Sequence, residues 1–375
     1  MASFDFDVLR RLPDVEAPDL VAVDATDRLV LDEAAPALAA AAPGEVVVVG
    51  DHYGAIALGA VGLHGARDVR VHQDALSGEL ALRRNAEAVG LVAEVGSHAL
   101  DERLVAGARV VLAQLPRSLD ALDEIAGVVS RGAAADVVLY AGGRVKHMTR
   151  GMNDVLSRYF ADVTATLGRQ KSRVLVARSP RPDAVPRSWP VRAHDADLDL
   201  DVCSFGAAFA GARVDVGTRF LLASEPRMAP TARVALDLGS GTGVIATVLA
   251  RSRPGVRVIA TDQSASAVAS TAATAAANGV AERIEVVRDD AASSLPDASV
   301  DLVVLNPPFH IGNAVHPGIA EKLFVAAGRV LVPGGELWTV WNSGLRYREV
   351  LERHVGPTEQ VARNSTFTVT VSRRR

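Results

Sequence analysis

The chain repeats one strand-turn-helix pattern, and 189 residues separate Gly50 in the first copy from Gly239 in the second. Three further pairs keep the same separation: Gly54 with Gly243, Asn85 with Thr274, and Gly90 with Gly279. Self-similarity at a fixed spacing is typical of a duplicated structural unit. A chain of 375 residues is also too long for one typical domain. The repeat therefore predicts two tandem α/β domains.

A proline-rich stretch separates the two copies. It contains four prolines within a short distance: Pro180, Pro182, Pro186 and Pro190. Proline lacks a backbone donor and interrupts helices and strands, so such a stretch is typical of a linker. We predict domains at residues 1–190 and 191–375.

The second copy contains a glycine-rich turn between a predicted strand and a predicted helix. The turn is Gly239-Ser240-Gly241-Thr242-Gly243. Because Gly239 and Gly241 lack Cβ atoms, the backbone can approach a nucleotide-like ligand closely. A tight turn of the dehydrogenase type would give the same pattern, so the turn alone does not identify the ligand.

Acidic side chains follow three consecutive predicted strands of this copy: Asp237, Asp262 and Asp290. Open α/β sheets bind ligands at the carboxyl ends of their strands. We expect Asp237 to meet a cationic amino acid group, Asp262 to accept from ribose hydroxyls, and Asp290 to read an adenine amine. This order favours S-adenosylmethionine as the cofactor and a Rossmann-like class I methyltransferase fold.

The fourth predicted strand ends in Asn306-Pro307-Pro308-Phe309-His310. An exocyclic amine of a base or amide is a poor nucleophile, because its lone pair is delocalised. Asn306 Oδ1 and the Pro307 carbonyl can accept from its two N–H groups, and Phe309 offers a face for stacking. We predict methylation of a planar nitrogen, with Asn306, Pro307 and Phe309 as catalytic residues. Pro308, Phe309 and His310 would contact the substrate, and Asn306 would also border the cofactor.

The first copy lacks the predicted ligand contacts of the second. At the separation of the repeat, three positions have changed: Val48 replaces Asp237, His52 replaces Gly241, and Gln73 replaces Asp262. After a three-residue shift, Gln114 stands where Asn306 stands. The first domain is therefore predicted to be a degenerate methyltransferase domain and the second to be catalytic.

Positive charge is concentrated between Arg144 and Arg192, although the whole chain has a net charge of −4. This segment holds eleven Lys and Arg against three Asp. An excess of this kind is typical of phosphate contacts, with Lys146 and Lys171 as candidates for RNA binding. Arginine is common throughout the chain, so some of these residues could simply be solvated surface.

Other features predict less chemistry. Cys203 is the only cysteine, which excludes disulfides within the chain. Aspartates alternate from Asp195 to Asp201, and we interpret them as the wet face of an edge strand and assign no metal. Residues 205–209 and 214–219 suggest a hairpin before the glycine turn, and we expect Asp215 and Thr218 to border the cofactor pocket. Residues 364–371 suggest a final antiparallel hairpin. Without a basic leader or roughly 18 consecutive apolar residues, we expect a cytoplasmic, monomeric protein without a membrane segment.

Along nearly its whole length the chain resembles the bacterial ribosomal RNA guanine-N2 methyltransferases with tandem methyltransferase-like domains. In that family the first domain has lost its cofactor site, and the second carries the motif matched here by Asn306 to His310. The resemblance implies a guanine of ribosomal RNA, free or within a ribosomal subunit, as substrate. Segments 143–147, 169–173, 342–347 and 364–367 are similar to the large-subunit branch, so 23S RNA is favoured over 16S RNA.

Alternatives remain open from the residues alone. The Asn-Pro-Pro-aromatic motif would also serve a methyltransferase acting on adenine N6 or on a glutamine amide of a protein. A non-catalytic RNA-binding assembly factor is a further alternative, and failure to bind S-adenosylmethionine would favour it. His310 could contact the base or a phosphate, or it could cap the turn.

Overall fold

A computed structural model describes residues 4–17, 20–308 and 317–375. The chain divides into two compact units, Met1–Trp189 and Pro190–Arg375. Each unit is built around one mixed, mainly parallel sheet covered by helices.

In the first unit, a seven-stranded sheet has the order β3-β2-β1-β4-β5-β7-β6. Its strands are β1 (Val46–Val49), β2 (Val69–His72), β3 (Val95–Ser97), β4 (Val110–Gln114), β5 (Val138–Arg144), β6 (Phe160–Ala165) and β7 (Ser172–Pro180). Its helices are α1 (Ala25–Ala40), α2 (Ala55–His64), α3 (Leu76–Val89), α4 (Glu102–Val105), α5 (Leu119–Gly132) and α6 (Arg150–Tyr159). The first five strands run parallel, whereas β7 is antiparallel to both β5 and β6.

The second unit repeats this arrangement with the order β12-β11-β10-β13-β14-β16-β15. The strands of this sheet are β10 (Val234–Leu238), β11 (Arg257–Asp262), β12 (Ile284–Arg288), β13 (Val300–Leu305), β14 (Leu331–Asn342), β15 (Thr358–Arg363) and β16 (Phe367–Arg373). Before them, β8 (Val191–Asp195) and β9 (Leu200–Ser204) form a separate two-stranded sheet. The helices of this unit are α7 (Val216–Leu222), α8 (Val244–Ser252), α9 (Ala265–Ala277), α10 (Pro317–Val330) and α11 (Arg348–His354). Because the two strand orders match position by position, the duplication and the fold class predicted from the repeat are confirmed.

Both faces of each sheet are buried, which explains the continuous apolar strands. Val46 and Val48 of β1 pack in one hydrophobic cluster, and Val47 and Val49 pack in another on the opposite face. The strands β10 and β13 alternate between two clusters in the same manner. Helices pack on both faces of each sheet. The carboxyl ends of the parallel strands therefore lie together along one side of the sheet, which we call its carboxyl edge.

The segment before β10 differs from the prediction. The hairpin lies earlier, where β8 pairs with β9, and residues 214–219 enter α7 instead of a strand. Asp215 causes this difference because its side chain caps the first turn of α7. The predicted final hairpin is confirmed by the antiparallel pair of β15 and β16.

The alternating aspartates do not form one strand face. Asp197 and Asp199 lie in the turn between β8 and β9, and only Asp195 and Asp201 belong to strands. All four pair with arginines: Asp195 and Asp197 with Arg219, Asp199 with Arg251, and Asp201 with Arg192. Within the described ranges, no group of three His, Cys, Asp or Glu residues could hold a metal ion. No helix in those ranges has the length and apolar character needed to cross a bilayer.

Candidate active site at the carboxyl edge of the second sheet

The glycine turn after β10 forms a cradle. Gly239 and Gly241 have φ values of +77° and +56°, a region that favours glycine. A Cβ atom at either position would have no heavy atom of the described residues within 4 Å. Gly243 differs, because a Cβ atom there would lie 2.8 Å from the Cα atom of Thr271 on α9. Gly239 and Gly241 thus line open space for a ligand, whereas Gly243 permits helix packing.

Asp237 is completely buried beside this cradle. Its Oδ2 accepts from the Ala246 amide at 2.9 Å, but its Oδ1 has no hydrogen-bond partner among the described residues. Burial, reinforced by the negative charge of Asp262, raises the pKa of Asp237 from 3.8 to about 7. A buried, unsatisfied carboxylate oxygen fits a cationic ligand group, as predicted for the amino acid end of S-adenosylmethionine.

Asp262 lies at the end of β11, next to the turn. Its Oδ2 accepts from the Gly241 amide at 3.0 Å, and its Oδ1 accepts from the Ser264 amide at 2.9 Å. These contacts fix the carboxylate next to the glycine turn. Its position fits the predicted contact with ribose hydroxyls.

Two neighbouring aspartates follow β12 and have different partners. Asp289 is buried and accepts from the amides and hydroxyls of Ser293 and Ser294. Burial alone would raise the pKa of Asp289, but these hydrogen bonds outweigh it and hold the pKa below its usual value. Asp290, the residue predicted to read adenine, pairs with Lys322 Nζ at 2.5 Å. Asp289 therefore shapes the loop, and Asp290 retains acceptor capacity at the sheet edge.

Asn306 follows β13, and its side-chain amide is held in one orientation. Nδ2 donates to Asp215 Oδ2 and to Thr218 Oγ1, each at 3.0 Å. A carboxylate can only accept, so Nδ2 must face Asp215. No donor among residues 4–17, 20–308 and 317–375 contacts Oδ1. Asn306 thus lines the pocket with its carbonyl oxygen available as an acceptor.

The rest of the predicted motif is only partly described. Pro307 is buried and Pro308 is exposed at the end of the strand. Phe309 and His310 lie outside the described residues, so their predicted contacts with the substrate remain predictions. The described residues nevertheless place Asp237, Gly239, Gly241, Asp262 and Asn306 at one edge of one sheet.

Asp215 and Thr218, which the sequence analysis expected at the edge of the cofactor pocket, border the same pocket, and so do Phe209 and Arg213, which it did not assign. The signal for Asp215 was local, because Asp at the start of a helix is a favoured cap. Its contact with Asn306 is not local, since 91 residues separate the two.

The first unit keeps part of the backbone geometry of this site but lacks side chains predicted to contact a ligand in the second. His52 has a φ of +52°, close to the +56° of Gly241, although it now carries a side chain. Val48 occupies the position of Asp237, and the buried Asp51 accepts instead from the amides of Ile56 and Ala57. Ala57 corresponds to Ala246 in the repeat, so a different aspartate replaces one structural contact of Asp237.

The two lysines proposed for RNA binding lie near each other. Lys146 follows β5 and Lys171 precedes β7, and the Val145 amide donates to the Lys171 carbonyl at 2.9 Å. Both lysines are exposed, and neither forms an ion pair with a described residue. Burial and the positive charges of Arg117, Lys146 and Arg144 lower the pKa of His147, as expected for clustered cations.

The other basic residues of the segment do not form one patch. Five pair with acids: Arg144 with Asp24, Arg158 with Asp123, Arg169 with Asp32, Arg187 with Asp120, and Arg192 with Asp201. Arg178 lies near the end of β7, whereas Lys171 precedes its start, so the two cations are at opposite ends of this strand. The count of eleven cations therefore overstates the charge available at one edge.

The cradle of Gly239 and Gly241 and the unsatisfied Oδ1 of Asp237 together fit S-adenosylmethionine. A family model described as the methyltransferase small domain matches residues 199–371, and one described as the RLMG N-terminal domain matches residues 2–181. Fold and site define a class I methyltransferase that uses S-adenosylmethionine, with a degenerate first domain and a catalytic second domain.

The most similar proteins found include proteins named ribosomal RNA large subunit methyltransferase G. One from Shewanella amazonensis is 31% identical over 96% of this chain and 94% of its own length. Another from Streptomyces avermitilis is 34% identical over 96% of this chain and 95% of its own. The chain belongs to this methyltransferase family.

Among solved structures, the T. thermophilus 16S rRNA N2 G1207 methyltransferase in complex with AdoMet and guanosine has the same fold. The TM-score is 0.71 at 22% identity, and the match covers 92% of each chain. The common fold therefore extends over both units and not only over the catalytic one.

Proposed function

We propose that this enzyme methylates the N2 amine of a guanine in 23S ribosomal RNA. The observation that carries the proposal is the fixed amide of Asn306, which leaves Oδ1 as an acceptor at the mouth of the donor pocket. The names of the relatives from Shewanella and Streptomyces favour large-subunit RNA. We further propose that it acts as a cytoplasmic monomer.

The residues of the second unit would divide the work as follows. S-adenosylmethionine, when bound, supplies an electrophilic methyl group. Asp237 and Asp262 hold the cofactor end of the pocket, while Asn306 Oδ1 and the Pro307 carbonyl accept from the two N–H groups of the target amine. These acceptors orient the amine and stabilise the positive charge that develops on nitrogen. The nitrogen loses its extra proton after alkylation, so no strong base is required.

A guanine within an RNA helix cannot reach Asn306 unless it leaves its stack. In the proposal, Phe309 stacks on the extruded base, and Pro308 and His310 contact it. The first unit contributes affinity through Lys146 and Lys171, which bind phosphates at the edge of its sheet. Their exposure and lack of described acidic partners support this assignment.

Methyl transfer from labelled S-adenosylmethionine tests the proposal directly. The substrates are naked and subunit-assembled ribosomal RNAs of both sizes, followed by nuclease digestion and mass spectrometry of the nucleosides. We expect N2-methylguanosine in large-subunit RNA. The same nucleoside in small-subunit RNA would correct the branch, and label in adenine, DNA or protein would overturn the substrate. If the chain did not bind S-adenosylmethionine, a non-catalytic assembly factor would replace the enzyme.

Asn306→Ala should lower the methylation rate at least about 100-fold, since it removes a positioned acceptor at the reacting amine. Donor affinity, measured by calorimetry, should stay within about 3-fold, because the buried Asp237 and the glycine cradle remain. Gln114→Ala is the matched control, as it removes the amide at the corresponding strand end of the first unit and should leave the rate unchanged. A variant of Asn306 that keeps most of its activity would contradict the assigned role.

A further inference from the structure

Asp215, which caps α7, accepts three hydrogen bonds at one carboxylate oxygen. Asp215 Oδ2 accepts from the amides of Gly217 at 2.9 Å and Thr218 at 3.1 Å, and from Asn306 Nδ2 at 3.0 Å. A Cβ atom on Gly217 would lie 3.0 Å from this oxygen and 3.6 Å from Asn306 Nδ2. The absence of a side chain at Gly217 therefore leaves room for the contact between the capping carboxylate and the Asn306 amide.

This contact decides which end of the Asn306 amide faces the pocket. If the amide were turned over, Oδ1 would point at the Asp215 carboxylate, and the two acceptors would repel each other. Nδ2 would then face the target amine, where an acceptor is needed. Thr218 Oγ1 takes the second Nδ2 hydrogen, so both hydrogens are used in one orientation only.

The charge of Asp215 has a second effect. A hydrogen bond to a carboxylate is roughly twice as strong as a neutral one, and it polarises the amide that donates it. Electron density moves toward Asn306 Oδ1, which makes that oxygen a better acceptor for an amine that becomes positively charged. An uncharged partner of the same shape would hold the amide without this polarisation.

The first unit contains a related contact at the corresponding place. Gln114, at the end of β4, donates through Nε2 to Asp27 Oδ1 in the first turn of α1. That helix is capped by Asp24, which accepts from the amides of Thr26 and Asp27. A strand-end amide held by a helix N-terminus is thus built into both copies of the fold, and Asn306 is not placed by a chance rotamer.

We propose that Asp215 and Thr218 are positioning residues for methylation, which fix the Asn306 amide with Oδ1 as its acceptor and increase the basicity of that oxygen. The inference rests on the proposed amine methylation and assigns no contact with substrate to either residue. It predicts an effect on the chemical step rather than on the binding of RNA or donor.

Asp215→Asn and Thr218→Val in the full chain test the proposal. Asparagine caps helices as well as aspartate does, so the first variant keeps the cap and removes the charge. We expect kcat to fall about 10-fold for Asp215→Asn and about 3-fold to 10-fold for Thr218→Val, with KM for RNA and donor Kd within about 3-fold. Thr218→Ser should restore most of the rate, because it restores the hydroxyl acceptor.

Asp101→Asn is the matched control, since Asp101 caps α4 and contacts no side-chain amide of a described residue. It should leave every kinetic constant unchanged, and melting curves should show that all variants are folded. Equal losses in donor affinity and in kcat/KM would overturn the proposal and make the two residues donor ligands. Full activity of both variants would overturn it as well. Asn306→Ala, measured alongside, reports separately on the proposed function, because it removes the acceptor itself.

Discussion

The two carboxylate oxygens of Asp237 are in different situations: one is hydrogen-bonded within the fold, and the other lacks a partner. Its Oδ2 holds the first turn of α8 through the Ala246 amide, while its Oδ1 lies buried without a partner. Because burial disfavours the charged form, the pKa of Asp237 rises to about 7. A cationic group at Oδ1 would supply the missing partner and favour ionisation. The residue proposed to hold the cofactor is therefore also one that should lower the stability of the free enzyme.

The pH dependence of stability follows from this shift. Between about pH 4 and pH 7, the unfolded chain releases the Asp237 proton while the folded chain keeps it. The free energy of unfolding should therefore fall with rising pH across this window, by up to about 4 kcal/mol, and level off above it. Asp237→Asn should reduce the difference in stability between pH 5 and pH 8, and it should weaken donor binding at least about 10-fold by removing the charge.

Denaturant unfolding at both pH values and calorimetry with S-adenosylmethionine provide the measurements. The control is Asp27→Asn. Burial also raises the pKa of Asp27 to about 7, but this residue lies in the first unit, away from the donor pocket's residues in the sequence. It should flatten the pH dependence without changing donor affinity. An unchanged pH profile together with unchanged donor affinity in Asp237→Asn would refute the interpretation of this carboxylate.

At the scale of elements, the glycine turn separates ligand contact from helix packing. Gly243 begins α8 with a left-handed backbone and lies against Thr271 of α9. Gly54 has the same role before α2, where a Cβ atom would meet the Leu82 side chain. Leu82 corresponds to Thr271 in the repeat. The packing glycine was therefore kept in both units, although Gly241 was replaced by His52 in the first.

Gly243→Ala should destabilise the second unit by about 2 to 4 kcal/mol, because backbone strain adds to a clash with the Cα atom of Thr271. Gly279→Ala provides the control. It has a φ of +69° and no heavy atom of the described residues near a Cβ, so only the strain, about 1 kcal/mol, should appear. Thermal unfolding compares the two variants, and equal losses would show that the contact with α9 is unimportant.

Sequence patterns predicted the elements better than their contacts. The repeat, the glycine turn and the strand ends were visible because each depends on neighbouring residues. The hairpin predicted from residues 205–209 and 214–219 was wrong, since Asp215 caps a helix that begins at Val216. The acceptor role of Asn306 Oδ1 was predicted from chemistry, but the partner that fixes the amide could not be, because Asp215 lies 91 residues away in the sequence. Likewise, the basic segment was read as one patch because a sequence does not show which arginines are paired.

At the scale of the whole molecule, duplication allows the two units to differ in chemistry while sharing one fold. In the first unit, Asp51 accepts from the Ala57 amide as Asp237 accepts from the Ala246 amide in the second, although Val48 stands at the position of Asp237. At the carboxyl edge of the first sheet, Lys146 and Lys171 have no acidic partner among the described residues. The overall charge of −4 then matters less for RNA binding than where the cations lie.

Replacing Lys146 and Lys171 by glutamine should weaken RNA binding and reduce the slope of log Kd against log salt by about 1 to 2, since up to two phosphate contacts are lost. Donor affinity should not change, because both residues lie in the first unit. The matched control replaces Arg178, near the opposite end of β7, and Arg181, just beyond that end; neither forms an ion pair with a described residue. It removes the same charge from the chain, so a general electrostatic effect would give equal losses in both double variants. A local phosphate-binding edge would give a reduced slope only for the lysine pair, as measured by fluorescence anisotropy between 50 and 200 mM salt, roughly the range over which such contacts are sensitive.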